Sequence, residues 1–180
     1  MPTLLVNNIH TLVTMNDDRA EINDAALFIR DGVIQYAGPA ADLPAAMQSA
    51  GEALDLRHHI VIPGLVNTHH HMFQSLTRVF AQQNELFGWL TALYPVWTHL
   101  TAEMVHTAAL TAMSELILSG CTTSSDHLYL FPNDVTLEDT IRAAGEIGLR
   151  FHPTRGSMSM GESEGGLPPD AIVQNADTIL

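Results

Sequence analysis

The chain has 180 residues, of which 46% are hydrophobic, so it contains enough apolar material to form a folded core. Its formal net charge is -13 with only 7 Lys and Arg, and so acidic a surface repels phosphate backbones and anionic membranes. The single cysteine, Cys121, excludes an intrachain disulfide, and no signal-peptide pattern or membrane-length apolar run is present. These features predict a cytoplasmic protein that binds neither nucleic acid nor membrane.

Residues 1–58 are predicted to form a small β domain. Short apolar runs at residues 4–6, 9–15, 25–30 and 33–37 are typical of strands separated by turns. The pair Asp31-Gly32 lies between the last two runs, where it is a strong hairpin signal. We therefore place a domain boundary near residue 58.

From residue 59 the pattern changes to alternating strands and helices. The run 59–67 is apolar and β-branched, as expected of a strand that is buried on both faces. Helices are predicted at 73–81, at 86–93 with an end before Pro95, at 102–119, at 136–147 and after Asp170, and further strands at 121–130 and 149–154. Such alternation indicates an α/β fold with a parallel sheet or barrel.

Three consecutive histidines follow the first of these strands. Because side chains alternate along an extended chain, His69 and His71 should share one face and His70 the opposite one. Two imidazoles on one face can both reach a metal ion at about 2.0–2.1 Å, and α/β barrels carry their active sites at the carboxyl ends of their strands. The alternative is that these histidines are ordinary polar residues at a strand end.

The segment 63–71, PGLVNTHHH, resembles the first barrel strand of the amidohydrolase superfamily, in its cytosine and guanine deaminase and triazine hydrolase branch. The resemblance implies a (β/α)8 TIM-type barrel over residues 59–180, of which only the first strands are present, beside a small β-sandwich domain at residues 1–58. It also implies that His69 and His71 bind one divalent ion, zinc or alternatively iron. Three blocks, at residues 70–78, 119–127 and 154–159, are most similar to the 8-oxoguanine deaminase group of this branch.

The same resemblance suggests substrate contacts. Gln74 matches a glutamine that hydrogen-bonds the purine in guanine deaminases, although a helix-surface role is equally open. Trp89 lies in a segment that covers the pocket, where it could stack on a base or pack in the core. Trp97 lies near a position where adenosine-type deaminases carry a substrate-binding Glu, and an indole there favours a free base over a nucleoside.

Two further positions follow predicted strands. His127 could contact substrate or could be a polar strand end, and Arg155 could pair with a purine carbonyl or form a structural ion pair. Cys121 is expected to be a small core residue, since no partnered base is evident.

The resemblance implies that the remaining metal ligands and the proton-transferring Glu lie on later strands, beyond Leu180. A whole barrel takes roughly 250 residues, so we expect this chain to be the N-terminal part of a longer enzyme. The predicted function is hydrolytic deamination of a purine base, 8-oxoguanine being converted to urate and ammonia. Two alternatives stay open: a related guanine, isoguanine or triazine aminohydrolase, and a non-catalytic metal-binding fragment. The expected partner is a small heterocyclic base, and a homo-oligomer is possible.

Overall fold

The structure is a computed structural model that describes residues 2–174 and divides into two compact units, Met1–Pro63 and Gly64–Leu180. The strands of the first unit are β1 Thr3–Val13, β2 Glu21–Arg30, β3 Val33–Pro39, β4 Glu52–Asp55 and β5 Ile60–Val61. The second unit contains β6 Leu65–Asn67, α1 Leu86–Trp97, α2 Ala102–Leu118, β7 Cys121–Leu128, α3 Leu137–Ile147 and β8 Arg150–Arg155.

The first unit is β-rich, as predicted, and its five strands form one sheet in the described chain. The strand order is β3-β2-β1-β4, with β5 also paired to β1. Alternating side chains of β1 and β2 supply two apolar clusters, one built around Ile9 and the other around Phe28. The β-sandwich therefore remains a prediction.

The hairpin between β2 and β3 is confirmed. Asp31 and Gly32 form its turn, with φ of 51° and 77°. Two successive positive φ values match the twist of the flanking strands, which explains why an Asp-Gly pair occurs here.

The run 59–67 is not the single buried strand that its composition predicted. It breaks at Pro63 and Gly64, so that β5 pairs with β1 in the first unit and β6 pairs with β7 in the second. Ile60 and Val66 are 66% and 64% exposed, because both strands are short and β6 lies at the edge of its sheet. The unit boundary consequently falls after Pro63, later in the chain than residue 58.

The second unit contains the predicted parallel sheet, in the order β6-β7-β8. Helix α2 begins at its expected N-cap, Thr101, whose side chain accepts a hydrogen bond from the Met104 amide. Helix α3 has the expected capping box between Thr136 and Asp139 and ends at Gly148 in the left-handed conformation. Three strands of a barrel-type arrangement are present in the described residues, and a closed barrel is not.

Two helix predictions are wrong. The residues after the histidines form a 3-10 helix, Met72–Thr77, in place of an α-helix. Helix α1 continues through Pro95 to Trp97, although proline removes a helical hydrogen bond. It does so because Leu93, Tyr94 and Trp97 are buried in the core there. Where a helix was expected after Asp170, residues Asp170–Ile172 form a 3-10 turn that ends at Val173, and the part of the prediction past residue 174 lies outside the described residues.

Candidate active site

The histidine segment is tied to β7 by hydrogen bonds along its length. The Ser125 hydroxyl donates to the Thr68 carbonyl at 2.8 Å. The His127 amide donates to the His70 carbonyl at 2.8 Å, extending the parallel pairing beyond β6. These bonds hold the histidines at the carboxyl ends of the strands, where a barrel carries its functional groups.

The rings of His69 and His71 lie next to each other, with centroids 5.0 Å apart in an edge-to-face arrangement. The Nδ1 atom of His71 is 2.9 Å from the His127 carbonyl oxygen. Because a carbonyl only accepts hydrogen bonds, Nδ1 must carry the proton and Nε2 is left with its lone pair. This is the arrangement that orients a histidine for metal binding through Nε2.

Burial favours the neutral forms of two of the histidines. It lowers the pKa of His71, although the hydrogen bond that His71 donates to the His127 carbonyl favours protonation and opposes the shift. Burial is also the main cause that lowers the pKa of His70, whose Nδ1 is buried and has no hydrogen-bond partner in the described part of the chain. A neutral imidazole is the form that binds metal, so His71 is prepared for that role near neutral pH.

Asp126 supports the histidine segment from within the sheet. Its Oδ1 accepts a hydrogen bond from the Met72 amide at 2.8 Å, directly after His71. Asp126 is 1% exposed, and its Oδ2 has no hydrogen-bond partner among residues 2–174. Burial raises the pKa of Asp126 to about 6, although the Met72 and His127 amides oppose the shift.

Two more rings surround His71: that of His127, near the end of β7, and that of Tyr129, the residue after β7. The centroids of His127 and Tyr129 lie 5.3 and 5.2 Å from that of His71, and 5.5 Å from each other. Tyr129 was not predicted from the sequence. It lies two residues beyond His127, and the alternation of side chains along an extended chain would place both on one face. The hydroxyl of Tyr129 accepts a hydrogen bond from Gln74 Nε2 at 3.1 Å.

A cavity of about 640 Å³ opens beside the histidines. Its lining includes His69, His71, Gln74 and Trp89, so four of the residues named from the sequence meet at one place. His127 reaches this group through its contact with the ring of His71.

Two of the sequence-derived substrate contacts do not lie in this group. Trp97 is fully buried in the core, and its indole N–H donates to Thr77 Oγ1 at 3.1 Å. A side chain without exposed surface cannot contact a substrate in this conformation, so Trp97 supports the wall of the site from behind. Arg155 donates to Gln174 Oε1 at 2.7 Å and lies over the ring of Phe131, and it is not one of the residues that line the cavity.

Within residues 2–174, no group of three or more His, Cys, Asp or Glu side chains is arranged to hold a metal ion. Catalytic zinc sites use three protein ligands and a water. His69 and His71 therefore fit zinc chemically as two of the ligands of such a site. Cys121 is buried, and its thiol lies 3.2 Å from the Thr123 carbonyl, as expected of a core residue.

The amidohydrolase family model matches residues 60–179, which is most of the chain and includes the histidine segment. The chain belongs to the amidohydrolase family. Among curated amidohydrolase relatives, it is 48% identical over 163 residues to an 8-oxoguanine deaminase from Pseudomonas aeruginosa, covering 87% of this chain and 36% of the relative. It is also 34% identical to a hydroxydechloroatrazine ethylaminohydrolase from Pseudomonas sp. strain ADP, covering 100% of this chain and 40% of the relative.

Solved structures of amidohydrolases agree with this assignment. A triazine hydrolase variant (Y215H/E241Q) superposes with a TM-score of 0.87 at 28% identity, covering 99% of this chain and 41% of that protein. An atrazine chlorohydrolase from Arthrobacter aurescens TC1 complexed with zinc superposes with a TM-score of 0.84 at 29% identity, covering 98% and 40%. The chain thus spans about two fifths of the length of these proteins. None of the helices described in residues 2–174 has the length and apolarity needed to cross a membrane.

Proposed function

We propose that this chain forms the first part of the active site of a zinc-dependent hydrolytic deaminase, with 8-oxoguanine as the substrate. The observation that carries the proposal is the orientation of His71, whose Nδ1 is engaged by the His127 carbonyl beside the ring of His69. Family membership and the similarity to an 8-oxoguanine deaminase over 87% of the chain support the choice of reaction.

The reaction replaces the exocyclic amine by an oxygen from water. Water adds to the ring carbon that bears the amine, the carbon–nitrogen bond breaks, and ammonia leaves with a proton from water, which gives urate. Zinc, when bound, lowers the pKa of water toward about 7 and so supplies the nucleophile near neutral pH. His69 and His71 hold the ion, and the rest of the reaction requires groups from other parts of the barrel.

The residues around the cavity are suited to a flat heterocycle. Gln74 offers a carboxamide to the edge of the ring, and Trp89 offers an aromatic face on which a base can stack. We propose His127 as an additional contact, because its ring lies beside that of His71. An acidic protein does not attract phosphorylated ligands, which agrees with a free base as substrate.

A second candidate function is hydrolysis of a substituted triazine. It is favoured by the match to a hydroxydechloroatrazine ethylaminohydrolase over 100% of this chain and by the superposition on triazine hydrolases. Both reactions use the same metal-assisted attack of water on a ring carbon, so His69 and His71 would serve either one.

The test is ammonia or amine release by the full-length, zinc-loaded protein over 8-oxoguanine, guanine, isoguanine and aminotriazines. We expect the highest kcat/KM with 8-oxoguanine. A preference for a triazine would replace the first proposal by the second. No release from any of these rings, together with no bound metal, would leave the non-catalytic alternative.

A further inference from the structure

The carboxamide of Gln74 is held in one orientation by Tyr129. Gln74 Nε2 donates to the Tyr129 hydroxyl at 3.1 Å, across 55 positions of sequence. A carboxamide is planar, so fixing its nitrogen on one side fixes its oxygen on the other. Among residues 2–174, Gln74 Oε1 has no hydrogen-bond partner, and the side chain lines the cavity beside His71.

Tyr129 is itself held firmly. Its ring meets those of His71 and Phe73 edge to face, at centroid distances of 5.2 and 5.3 Å. It also packs on the apolar cluster that contains Trp97. Tyr129 therefore contacts both the ring of His71 and the carboxamide of Gln74.

We propose that Tyr129 is a positioning residue that sets substrate specificity by turning Gln74 Oε1 toward the cavity as a hydrogen-bond acceptor. The ligand class that fits is a heterocycle with a ring N–H, of the lactam or imidazolone type, next to the carbon attacked by water. This inference rests on the proposed function for the identity of the ligand. A site that presents an acceptor discriminates strongly against an analogue that lacks the donor, because the acceptor is then left unpaired.

The test is a double-mutant cycle in the full-length, zinc-loaded protein, with Tyr129→Phe, Gln74→Ala and the double variant. The dissociation constant of 8-oxoguanine is measured by calorimetry, and kcat and KM are measured by ammonia release. We expect Tyr129→Phe to weaken binding and raise KM by about three- to tenfold, the range of one neutral hydrogen bond. In the Gln74→Ala background, Tyr129→Phe should not change the dissociation constant or KM, because no carboxamide remains for Tyr129 to orient.

Tyr36→Phe is the matched control, since it removes the hydroxyl that donates to the Pro39 carbonyl in the first unit. It should leave ligand binding and zinc content unchanged. The proposal would be overturned if Tyr129→Phe weakened binding equally in the presence and absence of Gln74, or if it did not weaken binding at all. If a base binds but is not deaminated, the proposed function is wrong, and the mutant cycle still tests the role of Tyr129 through the dissociation constants. If no base binds, both the proposed function and the role of Tyr129 are overturned.

Discussion

The Nδ1 atom of His71 lies 2.9 Å from the carbonyl oxygen of His127, a residue 56 positions later in the chain. This contact fixes the tautomer of His71, leaving Nε2 with its lone pair, while the ring itself lies beside that of His69. The carbonyl belongs to β7, which is also hydrogen-bonded to Thr68, His70 and Met72. The orientation of His71, which follows β6, is therefore set by β7.

Asp126 gives the protein a pH-dependent stability. Its pKa rises from 3.8 when unfolded to about 6 in the fold, so the folded state binds the proton more tightly. The stabilisation is complete below about pH 4 and is lost as the pH rises through 6. A shift of about two units corresponds to roughly 3 kcal/mol. In metal-free, full-length protein, we expect Asp126 to contribute a fall of this order in the free energy of unfolding between pH 4 and 7, opposite in sign to the contribution of His70 and His71, whose pKa values burial lowers.

Asp126→Asn is the matched variant, because an amide oxygen can still accept from the Met72 amide while the titration is removed. The fall in the free energy of unfolding that Asp126 contributes between pH 4 and 7 should be absent from this variant. An unchanged slope in Asp126→Asn would contradict the assignment of the transition to this carboxyl.

Gly156 is required where the chain passes the ring of His127. A Cβ at this position would lie 2.3 Å from His127 Nε2 and 2.6 Å from Tyr129 Cβ. We expect Gly156→Ala to displace the ring and to lower the free energy of unfolding by about 1–3 kcal/mol, the usual cost of overpacking. The measurement is denaturant unfolding of the full-length protein.

Gly145→Ala is the control for that experiment. Gly145 lies within α3, and a Cβ there would have no neighbour within 4 Å. Alanine should therefore stabilise the helix by about 0.5–1 kcal/mol. Equal effects of the two substitutions would show that the contact with His127 is unimportant.

Substitution of the two tryptophans should have different effects, one mainly on stability and the other mainly on substrate binding. Trp97 is fully buried, so Trp97→Ala should cost about 3–5 kcal/mol of stability through the cavity it leaves. Trp89 lines the site, so Trp89→Ala should raise KM for the base with a smaller loss of stability. Thermal unfolding and steady-state kinetics distinguish the two. A larger KM effect from Trp97→Ala in a folded enzyme would restore Trp97 as a substrate contact.

The sequence predicts those parts of the site that depend on local spacing. The alternation of His69 and His71 and the caps at Thr101 and Thr136 depend on neighbouring residues, and the structure has the expected caps and adjacent rings. The roles of Tyr129 and Asp126 depend on the pairing of β6 with β7, which joins residues more than 50 positions apart. The only local signal for Tyr129 is its spacing of two residues from His127, which would place both side chains on one face of an extended chain.

The wrong predictions for the end of helix α1 and for the run 59–67 have a common physical origin in tertiary packing. Pro95 is a reliable helix breaker in isolation, yet the burial of Tyr94 and Trp97 outweighs its local cost. The apolar run 59–67 reads as one buried strand, because composition does not reveal that the chain leaves one sheet at Pro63 and joins another. Local patterns therefore predicted that His69 and His71 lie next to each other, and misjudged the burial of the strand before them.

The most direct test of the account is the zinc content of the full-length protein, measured by atomic emission after removal of loosely bound metal. We predict one tightly bound zinc ion per chain, lost in both His69→Ala and His71→Ala and retained in His10→Ala, which removes an exposed histidine of β1. Retention of the ion in His71→Ala, with the protein folded, would contradict the central claim that His69 and His71 hold the catalytic metal.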